Sequence, residues 1–198
     1  MTSLILASGS VVRARLLASA GIEFVAIPAR VDEDAVKEAL LAQNTPMRGI
    51  ADALAELKAL RVSRSHPGAL VLGADQVLAF EKELVSKSSN LSEARTLLGK
   101  LRGRTHELIG AAVLAKDGAP IWRHVDSATL TMRAFGDEFL EDYPAQEGEA
   151  VLGSVGCYHL EGRGAQLFAH IAGDYFSILG LPLLSVLAVL RDQGAIPS

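Results

Sequence analysis

Cysteine is nearly absent from this sequence, since Cys157 is the single one among 198 residues. An intramolecular disulfide and a zinc site built from several cysteines are therefore excluded. Aromatic residues are scarce at 5%, and no excess of positive charge exists, because 19 Lys and Arg side chains stand against 23 Asp and Glu for a net charge of −4. Proteins that bind nucleic acid stably present stacking aromatics or a basic surface, so we expect no stable nucleic-acid binding.

Long hydrophobic runs are also absent. The longest largely apolar stretch, 176–190, is short for a membrane-spanning helix, which needs about 20 residues, and it contains Gly180 and Pro182. The amino-terminal residues lack the basic stretch and apolar core of a signal peptide. We therefore expect a soluble, cytoplasmic protein that does not bind membranes.

Strand and helix patterns alternate early in the chain, and hairpin signals follow. The short apolar segments 4–7 and 70–74 are typical of buried strands. The last helix, predicted over 182–192, is apolar nearly all round, which predicts burial under a sheet. Asp117-Gly118 between two strand patterns indicates a β-hairpin, and the glycine-rich segment 153–168 is predicted as strand. These patterns favour an α/β fold with a mixed sheet.

The turn that follows the first strand has the strongest local signal for a binding site. Ser10 is placed to cap the next helix. Arg13 then puts a positive charge at the positive end of the helix dipole, where it is unfavourable. A bound anion would resolve this conflict, since free N–H groups, the hydroxyls of Ser8 and Ser10 and a guanidinium all suit phosphate. The alternative is a capped helix with a solvated arginine.

Several charged residues interrupt or flank apolar patterns. Asp75 lies within an apolar strand pattern, so it is either a turn residue or a partly buried general base or metal ligand. Lys58 lies on the apolar face of its helix, and its ammonium either reaches solvent or points into a cleft. The run Asp32-Glu33-Asp34 either caps the next helix or supplies oxygen ligands for Mg²⁺. Lys87, taken alone, is typical of a surface lysine.

Taken together, these segments resemble the Maf family of nucleoside triphosphate pyrophosphatases over nearly the whole chain. The matching segments are 6–10 with Arg13, 31–33, Leu54-Ala55 with Lys58-Ala59, 73–75, 103–106, 162–165, 173–175 and 180–183. The resemblance implies one Maf-like domain over residues 1–198 with a Maf/ITPase-like α/β fold. In that fold an elongated mixed sheet with flanking helices forms two lobes around a central cleft. The resemblance leaves a homodimer open.

The same resemblance implies a reaction and roles for individual residues. A nucleoside triphosphate, canonical or modified, is hydrolysed to the monophosphate and pyrophosphate with a divalent metal cation, Mg²⁺ or Mn²⁺. Asp75 is then the proton acceptor, and Glu33 and Asp75 are the metal-associated carboxylates. The residues implied to surround the phosphates are Ser8, Ser10, Arg13, Lys58 and Lys87. The alternative is a non-catalytic nucleotide-binding regulator of cell division, but a protein that only binds has no need of a base.

Three positions are associated by the resemblance with the choice of base: Val12, Gln76 and Glu161. Gln76 and Glu161 resemble the branch of the family that acts on 7-methyl-GTP, whereas Val12 replaces that branch's aromatic residue. Gln76 directly follows Asp75, so we expect its amide to lie beside the substrate, where it can both donate and accept. An ionised Glu161 accepts only, which favours guanine-like or methylated bases, and the loss of a stacking ring at Val12 predicts broad side activity. Ser86-Lys87-Ser88 stands where the family has Gly-Lys-Pro.

Overall fold

The computed structural model describes residues 3–197. In chain order its elements are β1 (Leu4–Leu6), α1 (Val11–Ser19), β2 (Val25–Ala26), α2 (Glu33–Ala42), α3 (Met47–Ser63), β3 (Leu70–Phe80), β4 (Glu83–Val85), α4 (Leu91–Leu101), β5 (Thr105–Lys116), β6 (Ala119–Met132), α5 (Asp137–Glu147), two 3-10 helices (Gly148–Gly153 and Arg163–Leu167), β7 (Phe168–Ala172), α6 (Tyr175–Ile178) and α7 (Leu183–Asp192). No helix among the described residues is long and apolar enough to cross a membrane.

The strands form one mixed sheet. Their hydrogen-bonded order is β2-β1-β3-β5-β6-β7, and β4 pairs with β3. β1 runs parallel to both β2 and β3, whereas the pairs β3–β4 and β6–β7 are antiparallel. The prediction of an α/β fold with a mixed sheet and flanking helices is therefore confirmed.

The chain divides into two compact units. The first unit contains the described residues up to Gln76, Ile109–Asp126 and those from Asp174 onward, and the second contains Val77–Leu108 and Ser127–Gly173. β3, β5 and β6 contribute residues to both units. A single domain over residues 1–198, with two lobes around one cleft, stays a prediction. The extreme ends of that range lie outside the described residues.

Alternate residues of β1 and β3 pack on opposite faces of the sheet in the first unit. One face forms a core with side chains of α1 and α7 and includes Leu4, Leu6, Leu70, Leu72 and Ala74. The other face packs on α3 and includes Ile5 and Val71. Strands that are covered on both faces must be apolar throughout, which explains the continuous hydrophobic pattern in the sequence.

Two local predictions have opposite outcomes. Asp117 and Gly118 have φ values of 51° and 77°, as the two-residue turn of a hairpin requires, so the predicted β5–β6 hairpin is confirmed. The prediction of a strand over 153–168 is wrong, because β7 begins only at Phe168. Cys157 has a φ of 57°, which an extended strand excludes. Its buried neighbours Val155 and Tyr158 pack within a compact loop, and this burial produced the strand-like pattern.

Candidate functional site

The turn between β1 and α1 brings two serines and an arginine together. Ser10 caps α1, because its Oγ accepts a hydrogen bond from the backbone N–H of Arg13 at 3.3 Å. The Oγ of Ser8 accepts two hydrogen bonds at 3.2 Å, from the N–H of Ser10 and from Nη1 of Arg13. Since both acceptor positions of this hydroxyl are used, its own O–H is left to donate to another group. The predicted cap is confirmed, and the turn presents hydrogen-bond donors.

The Arg13 side chain is held by the protein. Its Nε donates to the carbonyl oxygen of Gly180 at 2.7 Å, in addition to the bond from Nη1 to Ser8. The side chain is only half-buried by surface exposure, yet the protein around its guanidinium is dense enough that burial lowers the pKa of Arg13, while the charges of Asp75 and Glu33 raise it. These two bonds engage Nε and Nη1, and Nη2 takes part in neither. The guanidinium is therefore oriented and keeps donors available for an anion, and the alternative of a solvated arginine does not hold.

Lys58, Asp75 and Glu33 form a charged cluster with little access to water. Lys58 Nζ lies 2.5 Å from Asp75 Oδ1 and 2.7 Å from Glu33 Oε1. Asp75 is 4% exposed and Lys58 is 7% exposed. One ammonium thus compensates two carboxylates. Asp75 is a strand residue and not a turn residue, and the Lys58 ammonium points inward and not to solvent.

Glu33 reaches this cluster from the first turn of α2. The preceding residue, Asp32, is the N-cap, and its Oδ1 accepts a hydrogen bond from the backbone N–H of Ala35 at 3.1 Å. Glu33 itself contacts the Lys58 ammonium. Two residues of the acidic run therefore have different roles. Asp32 caps α2, and Glu33 belongs to the charged cluster with Lys58 and Asp75.

Gly73 allows α3 to approach β3 closely. A Cβ atom at Gly73 would lie 2.3 Å from the carbonyl oxygen of Ala55 and 2.6 Å from the backbone nitrogen of Ala59. Any larger residue would therefore push the helix away from the strand. Gly73 and Asp75 are two residues apart, so they face the same helix, and Lys58 adjoins Ala59. The close approach of the two backbones is what brings the ammonium to the carboxylate.

One oxygen of the Asp75 carboxylate is buried without a hydrogen-bond donor. This atom is Oδ2, and the described part of the chain offers it no partner. Buried polar atoms are nearly always paired, because leaving one unpaired costs about 1–3 kcal/mol. The orphaned oxygen therefore marks the position at which a ligand's proton or a cation fits the site.

Gln76 lies on the opposite face of β3 from Asp75. It continues the alternation of Leu72 and Ala74, on the face that packs against α1 and α7. Its Nε2 donates to the carbonyl oxygens of Ser177 at 2.9 Å and Ile178 at 3.1 Å. Both amide hydrogens are therefore used within the protein. The sequence indicated a side chain able to donate and accept, whereas the structure leaves Gln76 as an acceptor through Oε1 alone.

The remaining predicted residues are Val12, Lys87 and Glu161. Val12 is half-buried on the first turn of α1. Lys87 follows β4 and Glu161 lies between the two 3-10 helices; both side chains are exposed and belong to the second unit. The roles of these three residues stay predictions.

The loop that carries Lys87 is anchored by a contact to Cys157. The thiol of Cys157 donates to Ser88 Oγ at 3.3 Å. Burial raises the pKa of this thiol, and the hydrogen bonds with Ser88 act in the opposite direction. This side-chain contact therefore restrains the loop that carries Lys87.

Sequence reasoning missed two residues that support the site, Ser177 and Asp126. Ser177 Oγ donates to Asp126 Oδ2 at 2.8 Å, and the backbone N–H of Ser177 donates to Asp174 Oδ2 at 2.7 Å. Asp174 lies in a matching segment, 173–175, but no local pattern marks Ser177 or Asp126. These two residues are 51 positions apart in the chain, so only the folded structure reveals their contact.

A family model and proteins of similar sequence indicate the same family for this chain. Residues 3–193 match the family described as Maf-like protein. A protein named nucleoside triphosphate pyrophosphatase from Caulobacter vibrioides is 53% identical over 196 residues, which cover 99% of this chain and 98% of the relative. A protein of the same name from Granulibacter bethesdensis is 51% identical over 193 residues, covering 98% of each chain. A solved HAM1 protein from Coxiella burnetii is 14% identical, with a TM-score of 0.43, covering 68% of this chain and 75% of that one. Because the family match and the close relatives span nearly the full length, this chain belongs to the Maf-like protein family.

Proposed function

We propose that this protein is a nucleoside triphosphate pyrophosphatase, which breaks the bond between the α- and β-phosphates and releases a nucleoside monophosphate and pyrophosphate. The observation that carries the proposal is the Lys58–Asp75–Glu33 cluster, where a buried carboxylate has one unpartnered oxygen. The charge of that carboxylate also acts on Arg13. Membership in the Maf-like family, whose close relatives bear this name, supports the same activity.

The phosphates bind to the donors at the amino-terminal end of α1. Arg13 offers Nη2, and Ser8 offers its hydroxyl proton, while Ser10 keeps the turn in shape by capping the helix. Lys58 adds a positive charge next to Asp75 and Glu33, the two carboxylates whose charges act on Arg13. Lys87 is assigned to the phosphates by its position in the family pattern alone.

Asp75 is the proton acceptor. Its Oδ1 is held by Lys58 at 2.5 Å, which fixes the carboxylate, and Oδ2 is left to accept a proton from water. The oxygen of that water then forms a bond to the α-phosphorus. The bond from the α-phosphorus to the bridging oxygen breaks, and pyrophosphate leaves with the electron pair of that bond. General bases of this kind contribute about 10²- to 10⁴-fold to the rate.

The charges of the site leave room for a divalent cation. Arg13 and Lys58 offset Asp75 and Glu33, so this group of four is neutral overall, whereas a triphosphate brings several negative charges. Carboxylate oxygens suit Mg²⁺ or Mn²⁺, and Mg²⁺ is commonly held by one or two carboxylates together with substrate phosphates. The described residues contain no group of three His, Cys, Asp or Glu side chains that could hold a metal. Glu33 and Asp75 would hold the ion together with the substrate phosphates, and the ion would supply positive charge to those phosphates.

We assign the base preference to guanine-like or methylated nucleotides. Gln76 offers only its carbonyl oxygen, because its amide hydrogens are used by α6. An ionised Glu161 likewise accepts and does not donate. Guanine presents N–H donors at N1 and N2, which match acceptors, and a site built around polar groups rejects substrates that leave them unpaired. Val12 lacks an aromatic ring for stacking, so side activity on other bases is expected.

The test is pyrophosphate release from dTTP, UTP, GTP and 7-methyl-GTP, with and without Mg²⁺ or Mn²⁺. The variant Asp75→Asn should release pyrophosphate more slowly, and its control is Asp117→Asn. The control changes a carboxylate of the first unit, at the hairpin turn, whose Oδ1 accepts a hydrogen bond from the N–H of Gly68. We expect the control to keep full activity. A wild-type protein that binds triphosphates but releases no pyrophosphate would instead support the non-catalytic regulator. A preference for dTTP and UTP that is unchanged by Glu161→Gln would contradict the base assignment and leave the reaction intact.

A further inference from the structure

We propose that Ser177 is a positioning residue for Arg13, on which it acts through the backbone of Gly180. This inference rests on the proposed function, because Arg13 is the phosphate-binding side chain in question. Ser177 is 5% exposed, and its hydroxyl donates to Asp126 and not to the Arg13 side chain. Its effect must therefore pass through the chain between 177 and 180.

Ser177 is held from three directions. Its backbone N–H donates to Asp174, which caps α6, and its Oγ donates to Asp126 on β6. Its carbonyl oxygen accepts from Gln76 Nε2 at 2.9 Å. Backbone and side chain are thus both tied to other elements of the first unit. A four-residue helix such as α6 has little stability of its own, so these bonds set its position.

Gly180 connects Ser177 to Arg13 through two hydrogen bonds. The N–H of Gly180 donates to the carbonyl oxygen of Ser177 at 3.0 Å. The carbonyl oxygen of Gly180 in turn accepts from Arg13 Nε at 2.7 Å. Gly180 has a φ of 103°, a left-handed backbone conformation that favours glycine, and its carbonyl lies beside the Arg13 side chain. A hydrogen-bonded path therefore runs from Ser177 through Gly180 to the guanidinium.

This path determines where the available donors of Arg13 point. The guanidinium is planar, so two fixed bonds, Nε to Gly180 and Nη1 to Ser8, define its plane and the direction of Nη2. A displacement of Gly180 would tilt that plane. A misplacement of about 1 Å in a catalytic arrangement can cost about 100-fold in rate.

Gln76 takes part in the same path as an anchor of α6. Its two amide bonds end on the carbonyl oxygens of Ser177 and Ile178. If Gln76 acts through Arg13, then loss of its amide weakens all triphosphates equally. If Gln76 acts on the base, then its loss changes affinities for different bases by different factors. The two roles can therefore be separated by experiment.

The experiment measures, by calorimetry, the Kd of a triphosphate with a methylene group between the α- and β-phosphates. The variants are Ser177→Ala, Arg13→Ala and the double variant. We expect Ser177→Ala to weaken binding by about fivefold, which corresponds to the net contribution of about one hydrogen bond, and to add nothing in the Arg13→Ala background. The matched control is Ser63→Ala, which removes another buried serine hydroxyl, one that accepts from the N–H of Gly118 at 3.0 Å. This control should keep the wild-type Kd even where it lowers the melting temperature.

Equal weakening by Ser177→Ala in the wild-type and Arg13→Ala backgrounds overturns the proposal, as does an unchanged Kd. Gln76→Met provides a second variant if Ser177→Ala fails to fold. The weakening that comes from its lost amide bonds should vanish in the Arg13→Ala background, whereas a difference between GTP and UTP analogues, which comes from its carbonyl oxygen, should persist there. Equal weakening by Gln76→Met in the two backgrounds overturns the anchoring role. A protein that binds the analogue but hydrolyses no triphosphate refutes the proposed activity alone, because the coupling is read from binding.

Discussion

Replacing Lys58 by methionine would leave two carboxylates of the site without their shared cation. Methionine keeps the length and apolar character of the lysine stem, so packing of α3 on β3 changes little. The ammonium, which lies 2.5 Å from Asp75 and 2.7 Å from Glu33, is lost. The variant therefore isolates the contribution of one charge.

The magnitude follows from burial. Removing one partner of a buried ion pair costs about 3–5 kcal/mol because an uncompensated charge remains, whereas a surface pair contributes about 0–1 kcal/mol. Asp75 is 4% exposed and its Oδ2 already lacks a donor, so the larger range applies. For a protein of 150–250 residues each kcal/mol lowers the melting temperature by about 2–4 °C, and we expect a decrease of about 6–20 °C.

Thermal melts at pH 8 test this reasoning. The double variant Lys58→Met with Asp75→Asn removes the uncompensated charge as well, so it should recover most of the loss. The control Lys37→Met removes an ammonium 3.6 Å from Asp34, whose side chain is 89% exposed, and should cost less than about 1 kcal/mol. A loss equal to this control, with no recovery in the double variant, would refute the buried cluster.

Three further predictions concern single residues. Asp75→Asn should lower turnover by about 10²- to 10⁴-fold and keep triphosphate affinity within about tenfold, as measured by pyrophosphate release and calorimetry; near-normal kcat would contradict its role as the base. Arg13→Ala should weaken triphosphate affinity by at least about tenfold. It should also lower stability by about 1 kcal/mol in melts, because two hydrogen bonds worth about 1 kcal/mol each outweigh relief of the helix dipole, about 0.3–1 kcal/mol; unchanged affinity would indicate a structural arginine. Burial lowers the pKa of His106 to about 4, so the unfolded chain takes up a proton first and up to about 3 kcal/mol of stability is lost as pH falls from 6.5 to 4. His106→Gln should show a shallower acid loss in melts from pH 7 to pH 4, and equal slopes would contradict the buried neutral imidazole.

Much of the fold was predictable because its signals are local. β1 and the first part of β3, residues 70–74, are apolar throughout because both faces are covered. Ser10 caps α1 through a bond to a residue three positions away. The hairpin at Asp117 and Gly118 depends on the backbone of two adjacent residues. The strand predicted over 153–168 is wrong, because side chains buried in a compact loop produce the same hydrophobic pattern as a strand.

The candidate site was predictable in its members but not in their contacts. Asp75 and Lys58 were predictable as site residues because each is charged within an apolar pattern. That Glu33 shares the Lys58 ammonium with Asp75 depends on the approach of α3 to β3 at Gly73. The adjacent residue Gln76 points to the other face and binds α6, which adjacency in the sequence did not reveal.

The sequence alone therefore determined the fold class, the helix cap, the hairpin and the charged residues placed in apolar surroundings, because each depends on neighbours within a few positions. The tertiary structure decided which of those charges meet. The bond from Arg13 to Gly180 joins residues 167 positions apart, and the bond from Ser177 to Asp126 spans 51. Such contacts are formed by the packing of helices on a sheet. They cannot be predicted from local sequence, because the residues that adjoin each partner in the chain carry no information about the distant residue it contacts.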